Sequence, residues 1–158
     1  MNRVSIIILV FVFFGNYVFP QESSAPAALP SAAILNAAYI GNADLVKQVL
    51  ALNPDRDVRD SLGGTAIHVA VLQNNIEVIK LLLDDGFDVN AVVPEDGYPM
   101  LRGYTPLHYC VWTNNVEAAR ILLQYKANKN IRASDGMSPQ EKAAKEGKRD
   151  FLLLFARY

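Results

Sequence analysis

Apolar residues recur at helical spacing in four short blocks of this chain: Ala43 to Leu50, Ile76 to Leu83, Val116 to Leu123 and Arg149 to Phe155. In each block apolar side chains fall three and four positions apart, so that one face of a helix is greasy and the other wet. Each also carries an acid in its first turn, Asp44, Glu77, Glu117 or Asp150, where the positive end of the helix dipole favours it. A second set of helices is marked by its start signals. Thr65, Thr105 and Ser138 are hydroxyl residues suited to capping exposed N–H groups, and Pro106 and Pro139 follow at the first helical position, where a missing donor costs nothing. Between the helices of a pair stand Gly41, Asn74, Asn114 and Gly147, the two residue types that best tolerate a positive φ. The later helix of each pair ends at Asn53, Gly86 and Lys126; Lys126 is the departure, and local strain of about 1 kcal/mol is expected there.

These signals repeat in register. Ile67 lies 33 positions after Ile34, and Gly64-Thr65-Ala66-Ile67-His68-Val69-Ala70 is echoed by Tyr104-Thr105-Pro106-Leu107-His108-Tyr109-Cys110 and again by Met137-Ser138-Pro139. Self-similarity at this period marks a stacked-repeat architecture. The pattern, clearest from Asp60-Ser61-Leu62-Gly63-Gly64-Thr65-Ala66-Ile67-His68 to Gly86-Phe87-Asp88-Val89-Asn90-Ala91, resembles the ankyrin repeat and departs from it at Ala66, where proline is usual. The resemblance covers roughly residues 31 to 158. It implies an all-α solenoid of four stacked helix-turn-helix repeats with β-hairpin-type turns, approximately 31–59, 60–92, 100–132 and 133–158. The first copy lacks the Asp-x-x-Gly turn and starts at Ser31, its expected N-cap; the last carries Gln140, Glu141, Lys142 and Lys145 on its first helix, so both ends have the look of caps. Leu153 aligns with Lys47, Lys80 and Arg120, which are solvent-type positions. It is either an exposed apolar contact or part of an irregular cap.

Ahead of the repeats, Met1-Asn2-Arg3 precedes an uncharged run from Val4 to Phe14, and residues 21–31 are rich in Pro, Ser and Ala. A basic n-region and an apolar h-region shorter than the roughly 20 residues of a spanning helix predict a signal peptide. Residues 1–27 are accordingly expected to be signal peptide and linker, with cleavage at Ala25-Pro26-Ala27 or nearer Gly15, and residues 28–158 the repeat domain. The protein is then periplasmic or secreted, of the kind found in bacteria, or alternatively anchored by an uncleaved N-terminal segment.

Charge narrows the function further. With 15 basic and 16 acidic side chains and a net charge of -1, the chain has no field to gather nucleic acid, and no basic run exceeds Lys148-Arg149. The single cysteine, Cys110, forbids an internal disulfide and a thiol zinc site. It aligns with Ala37, Ala70 and Ala143 and so reads as a buried small residue. The only histidines, His68 and His108, occupy the Thr-x-x-His position, where the family resemblance implies a structural bridge between neighbouring turns. No glycine-rich phosphate loop, nucleophile elbow or metal-spaced cluster occurs. No enzyme activity, metal or cofactor is expected.

What remains is a binding surface. Variation between stacked repeats collects on one concave face. There the aligned positions run Tyr39-Ile40, Leu72-Gln73, Trp112-Thr113 and Lys145-Glu146, with turn-tip residues Arg59, Ser61, Leu62, Leu101, Arg102, Tyr104, Arg132, Ser134 and Met137 beside them. The spacing from Ile67 to Leu107 is 40, so about seven residues are inserted around Val92 to Met100, and the prolines and glycine there predict an ordered loop. Tyr39, Leu72, Gln73, Tyr98, Met100, Arg102, Tyr104, Trp112 and Thr113 are the candidate contacts for an unidentified protein partner, approached as a monomer. The alternative for Trp112 is a packing residue covering a neighbouring helix, and for the insertion a tolerated, functionless loop. An inhibitor or immunity protein, or an assembly factor for an envelope enzyme, is the alternative to a general interaction module.

Overall fold

The computed structural model describes residues 32–158. Along them run α1 (Ala33–Ile40), α2 (Ala43–Leu50), α3 (Ala66–Leu72), α4 (Ile76–Asp84), a 3-10 turn (Pro99–Leu101), α5 (Pro106–Thr113), α6 (Val116–Gln124), α7 (Pro139–Lys145) and α8 (Arg149–Phe155), with no strand among the described residues. The expected signal segment and the expected cap Ser31 lie outside them. Ala32 stands at the N-cap of α1 and supplies no side-chain cap.

The four pairs close through left-handed residues at the expected positions: Gly41 (φ 72°), Asn74 (54°), Asn114 (59°) and Gly147 (65°). The second helices release the chain through Asn53, Gly86 and Lys126, whose φ of 68° confirms the one unfavourable member of the series. Caps on the second helices come from a residue the start signals left unremarked. Asn42, Asn75 and Asn115 accept backbone N–H groups of Asp44 and Leu45, of Val78, and of Ala118. Two of these side chains also reach across repeats, Asn75 donating to the Gly41 carbonyl and Asn115 to the Asn74 side-chain carbonyl at 2.6 Å.

Pairs stack into two rows, α1, α3, α5 and α7 in one and α2, α4, α6 and α8 in the other. The core lies between the rows. Ile34, Ile67, Ile79, Leu82, Leu107, Leu122 and Phe151 are wholly or almost wholly buried, and each such side chain contributes roughly 1.5–3 kcal/mol by leaving water. Cys110 sits with Ala37, Ala70 and Ala143 where the first helices approach each other, all of them buried. In α8, Phe151, Leu154 and Phe155 face inward, while Leu153 is 63% exposed.

Hairpin-type turns connect the pairs. Asp60 N–H donates to Gly64 O at 2.9 Å and Ala133 N–H to Met137 O at 3.0 Å. The inserted segment keeps this closure on a larger scale, since Val93 N–H donates to Tyr104 O at 2.9 Å and Gly103 N–H to Val93 O at 2.8 Å. The segment forms a 3-10 turn and no strand, as its prolines and glycine predict. Val93 and Leu101 enter the core, and Tyr98 N–H donates to Leu62 O at 3.1 Å on the preceding hairpin. Gly97 permits that approach, for a Cβ there would meet Val93 Cγ1 at 2.7 Å and Pro94 O at 3.0 Å. Leu101, expected at an exposed turn tip, is therefore a core residue: the 3-10 turn rotates it inward.

Candidate interaction face

The inner ladder is built by the last turns of the first-row helices. Tyr39 and Trp112 are 66% and 56% exposed, and Leu72 between them is half-buried against the core. Gln73 and Thr113 lie beside them in the open. Trp112 rests edge-on against Tyr109, ring centres 5.9 Å apart, so packing orients it without covering it. Asn74, Asn114, Asn115 and Glu117 join Leu72 and Thr113 in lining a shallow groove between the second and third pairs.

At the turn tips the side chains divide into free and committed groups. Tyr98 and Met100 project from the inserted hairpin, 49% and 75% exposed. Arg59 donates to the carbonyls of Gly63 and Val92, each at 2.9 Å, and Arg132 to Gly136 O and the Glu141 carboxylate, so both guanidinium groups pin their own hairpins. Arg102 is half-buried, and its Nε is sealed from water without an acceptor.

Tyr104 is bound into the interior. Its carbonyl accepts from His68 Nε2 at 3.2 Å, its ring stacks on His108 with centres 5.0 Å apart, and its hydroxyl accepts from Lys142 Nζ at 2.7 Å. Lys142 in turn pairs with Asp135 and lies over the Tyr104 ring at 4.6 Å. Lys142, one of the charged residues that give the last copy the look of a cap, is buried, and it ties the last pair to the inserted hairpin. No sequence signal announced this, because a lysine at helical spacing in a terminal repeat normally faces water. Burial opposes the charged ammonium, but the Asp135 carboxylate and the Tyr104 hydroxyl outweigh it and raise the Lys142 pKa. For Asp135, burial is likewise outweighed by Lys142 and by the Met137 N–H, which hold its carboxyl below the usual range.

The two histidines bridge neighbouring turns. His68 Nδ1 accepts the Thr65 N–H at 3.1 Å and His108 Nδ1 the Thr105 N–H at 3.0 Å. The other ring nitrogens then carry the proton and donate to the carbonyls of Tyr104 and, at 3.1 Å, Met137. Burial drives both imidazoles down, His68 to about 3 and His108 to about 4, against the pull of the accepting carbonyls. They are neutral connectors. Burial also pushes the Cys110 thiol well up, which keeps it protonated and unreactive. Among the described residues, no group of three or more His, Cys, Asp or Glu is placed to hold a metal ion, and no helix is long and apolar enough to cross a membrane.

Paired helices stacked in two rows, hairpin-type turns and Thr-x-x-His bridges define a solenoid of repeated interaction modules. The family model described as "Ankyrin repeats (3 copies)" matches residues 34–133, and the chain belongs to the ankyrin-repeat family. It is 37% identical over 70 residues to the potassium channel AKT1 of Arabidopsis thaliana, an alignment covering 44% of this chain and 7% of the channel. It is 39% identical over 56 residues to inversin of Danio rerio, covering 34% of this chain and 6% of inversin. The chain thus matches only a small part of either relative. Repeats of this family generally serve as protein–protein interaction modules without catalytic activity.

Proposed function

We propose that this protein is an exported interaction module that grips a protein partner with the ladder Tyr39, Leu72, Gln73, Trp112 and Thr113 together with the inserted hairpin. In this reading residues 1–27 are signal peptide and linker, residues 28–158 are the repeat domain, and the monomer works in the cell envelope or outside the cell. The carrying observation is the exposure of two aromatic side chains on the first-row helices, Tyr39 and Trp112, with Leu72 half-buried on the helix between them, together with the exposed Tyr98 and Met100 of the inserted hairpin. Tyr, Trp, Met and Arg are the residue types enriched at interfaces. Arg102 adds charge, and Tyr104 serves by holding the stem of the hairpin.

The test is recovery of partners from an envelope extract with wild-type protein and with the Tyr98→Ala/Trp112→Ala variant, identified by mass spectrometry. A partner lost only with the variant, whose circular dichroism and Tm match wild type, supports the reading. Equal recovery by both moves the interface elsewhere, the exposed Leu152 and Leu153 being the next surface to substitute.

A further inference from the structure

We infer that two copies of this chain pair about a two-fold axis along the edge formed by the segments that follow the second-row helices, held by opposite charges. The inference goes beyond the reading above: the single chain stays the unit that grips a partner, and pairing joins two such units. The segments 51–58, 84–91, 124–131 and 156–158 stand in register, since Leu52, Asp85, Tyr125 and Tyr158 recur at the intervals that separate the copies. Contacts run from each to the next. Arg56 donates to the Asp85 carbonyl and carboxylate at 2.9 and 3.1 Å, Tyr125 OH to Asp84, and Asn128 N–H to Asn90 Oδ1 at 2.7 Å. Lys129 Nζ donates to Phe155 O at the end of α8, and Tyr158 lines the same shallow depression as Lys126 and Lys129. The four segments form one strip, spaced as packed helices are, about 8–10 Å apart.

Charge runs along this strip in one direction. The first two segments hold Asp55, Asp57, Asp84, Asp85 and Asp88 against Arg56 alone, whereas the last two hold Lys126, Lys129 and Arg157 and no acidic side chain. Among the described residues, Arg56 with Asp85 is the one ion pair that involves any of these side chains, and Asp55, Asp57, Asp84, Asp88, Lys126 and Arg157 are exposed. The whole stack has the same polarity: residues 32–96 carry 10 acidic and 4 basic side chains, residues 97–158 carry 5 and 10. Such a strip is its own complement when reversed. Turned about an axis between the second and third segments, the first faces the other copy's fourth and the second its third, so acid meets base twice over. A parallel arrangement sets like charges together. At both ends the reversal brings Leu52 against Tyr158, which are 56% and 51% exposed and have no part in the ladder. The strip lies where the second helices end and the ladder where the first-row helices end, at opposite ends of pairs joined by tight turns. Paired chains therefore present two free ladders, and a partner with two binding segments is held more firmly than by either ladder alone.

Sedimentation velocity of the purified protein over a concentration series, at about 0.01 M and about 1 M NaCl, reads the pairing while the screening length falls from about 30 Å to about 3 Å. A dimer is expected at the lower salt, with Kd weakened at least about tenfold at the higher. Lys126→Asp and Asp88→Lys should each weaken pairing by about tenfold or more, because each sets like charges face to face. An equimolar mixture of the two should pair as wild type does, each copy supplying what the other lacks. Asp88 Oδ1 accepts the Asn90 N–H. If Asp88→Lys loses the wild-type circular dichroism, Asp57→Lys mixed with Arg157→Asp repeats the test at the outer contact. A protein monomeric at every concentration, a dimer indifferent to salt, or a mixture that pairs no more tightly than its components overturns the inference. So does a dimer lost in the Tyr98→Ala/Trp112→Ala variant, which places the contact on the ladder itself.

Discussion

At the residue scale, the two histidines make the fold sensitive to acid although neither does chemistry. Each imidazole is inserted as a neutral group between a backbone N–H and a carbonyl of the next turn, and neither nitrogen has room for a second proton's charge. The unfolded chain takes up protons near pH 6.5, whereas the folded chain refuses them until about pH 4 at His108 and about 3 at His68. Unfolding is therefore coupled to proton uptake in that window, and stability is full above pH 6.5 and declines as the pH falls below it. Urea titrations should show a loss of roughly 2 kcal/mol per histidine between pH 7.5 and pH 5. His108→Gln, which can still receive the Thr105 N–H as Glu141 receives that of Ser138, should remove about half of this dependence; an unchanged slope would place the acid sensitivity elsewhere.

At the element scale, helix pairs and turns were legible because each depends on one or two residues near in sequence. A hydroxyl before a proline starts a helix, and glycine or asparagine at a fixed offset ends one; all four such offsets take the left-handed conformation. The tie between the inserted hairpin and the last pair was not legible, because its members stand far apart. Lys142 and Tyr104 are separated by 38 positions, and the insertion determines how the stem presents its ring. Leu101 was misplaced for a related reason, since a repeat alignment has no register inside an insertion. The candidate face was read as a set of positions, and its division into free and internally bound side chains appears only with the hydrogen bonds. This tie predicts a measurable loss. Lys142→Met keeps the stem of the side chain but leaves the Asp135 carboxylate without its cation and the Tyr104 hydroxyl without its donor. Chemical denaturation should show a destabilisation of about 1–3 kcal/mol, with hydrogen exchange rising first in α7, α8 and the 93–104 hairpin.

At the scale of the whole molecule, each pair packs chiefly against its neighbours among the described residues, so stability accumulates along the stack. The inserted hairpin adds to one junction without altering the rows on either side. Its base is closed by the same pairings as the ordinary turns: Val93 stands where Asp60 and Ala133 stand, and Tyr104 where Gly64 and Met137 stand. Gly103, with φ 73°, matches Gly63 and Gly136 at 86° and 78°. Excising residues 94–100 leaves Val93-Leu101-Arg102-Gly103-Tyr104, a five-residue turn of the ordinary size. The shortened protein should fold with an unchanged helical circular dichroism spectrum, its Tm lowered by the lost packing of Val93 and Leu101 against the segment. A stem already closed in this way turns residues 94–100 into an exchangeable cassette: sequence there can drift, lengthen or be replaced outright, re-aiming the molecule at a new target while the scaffold beneath it carries on unaware.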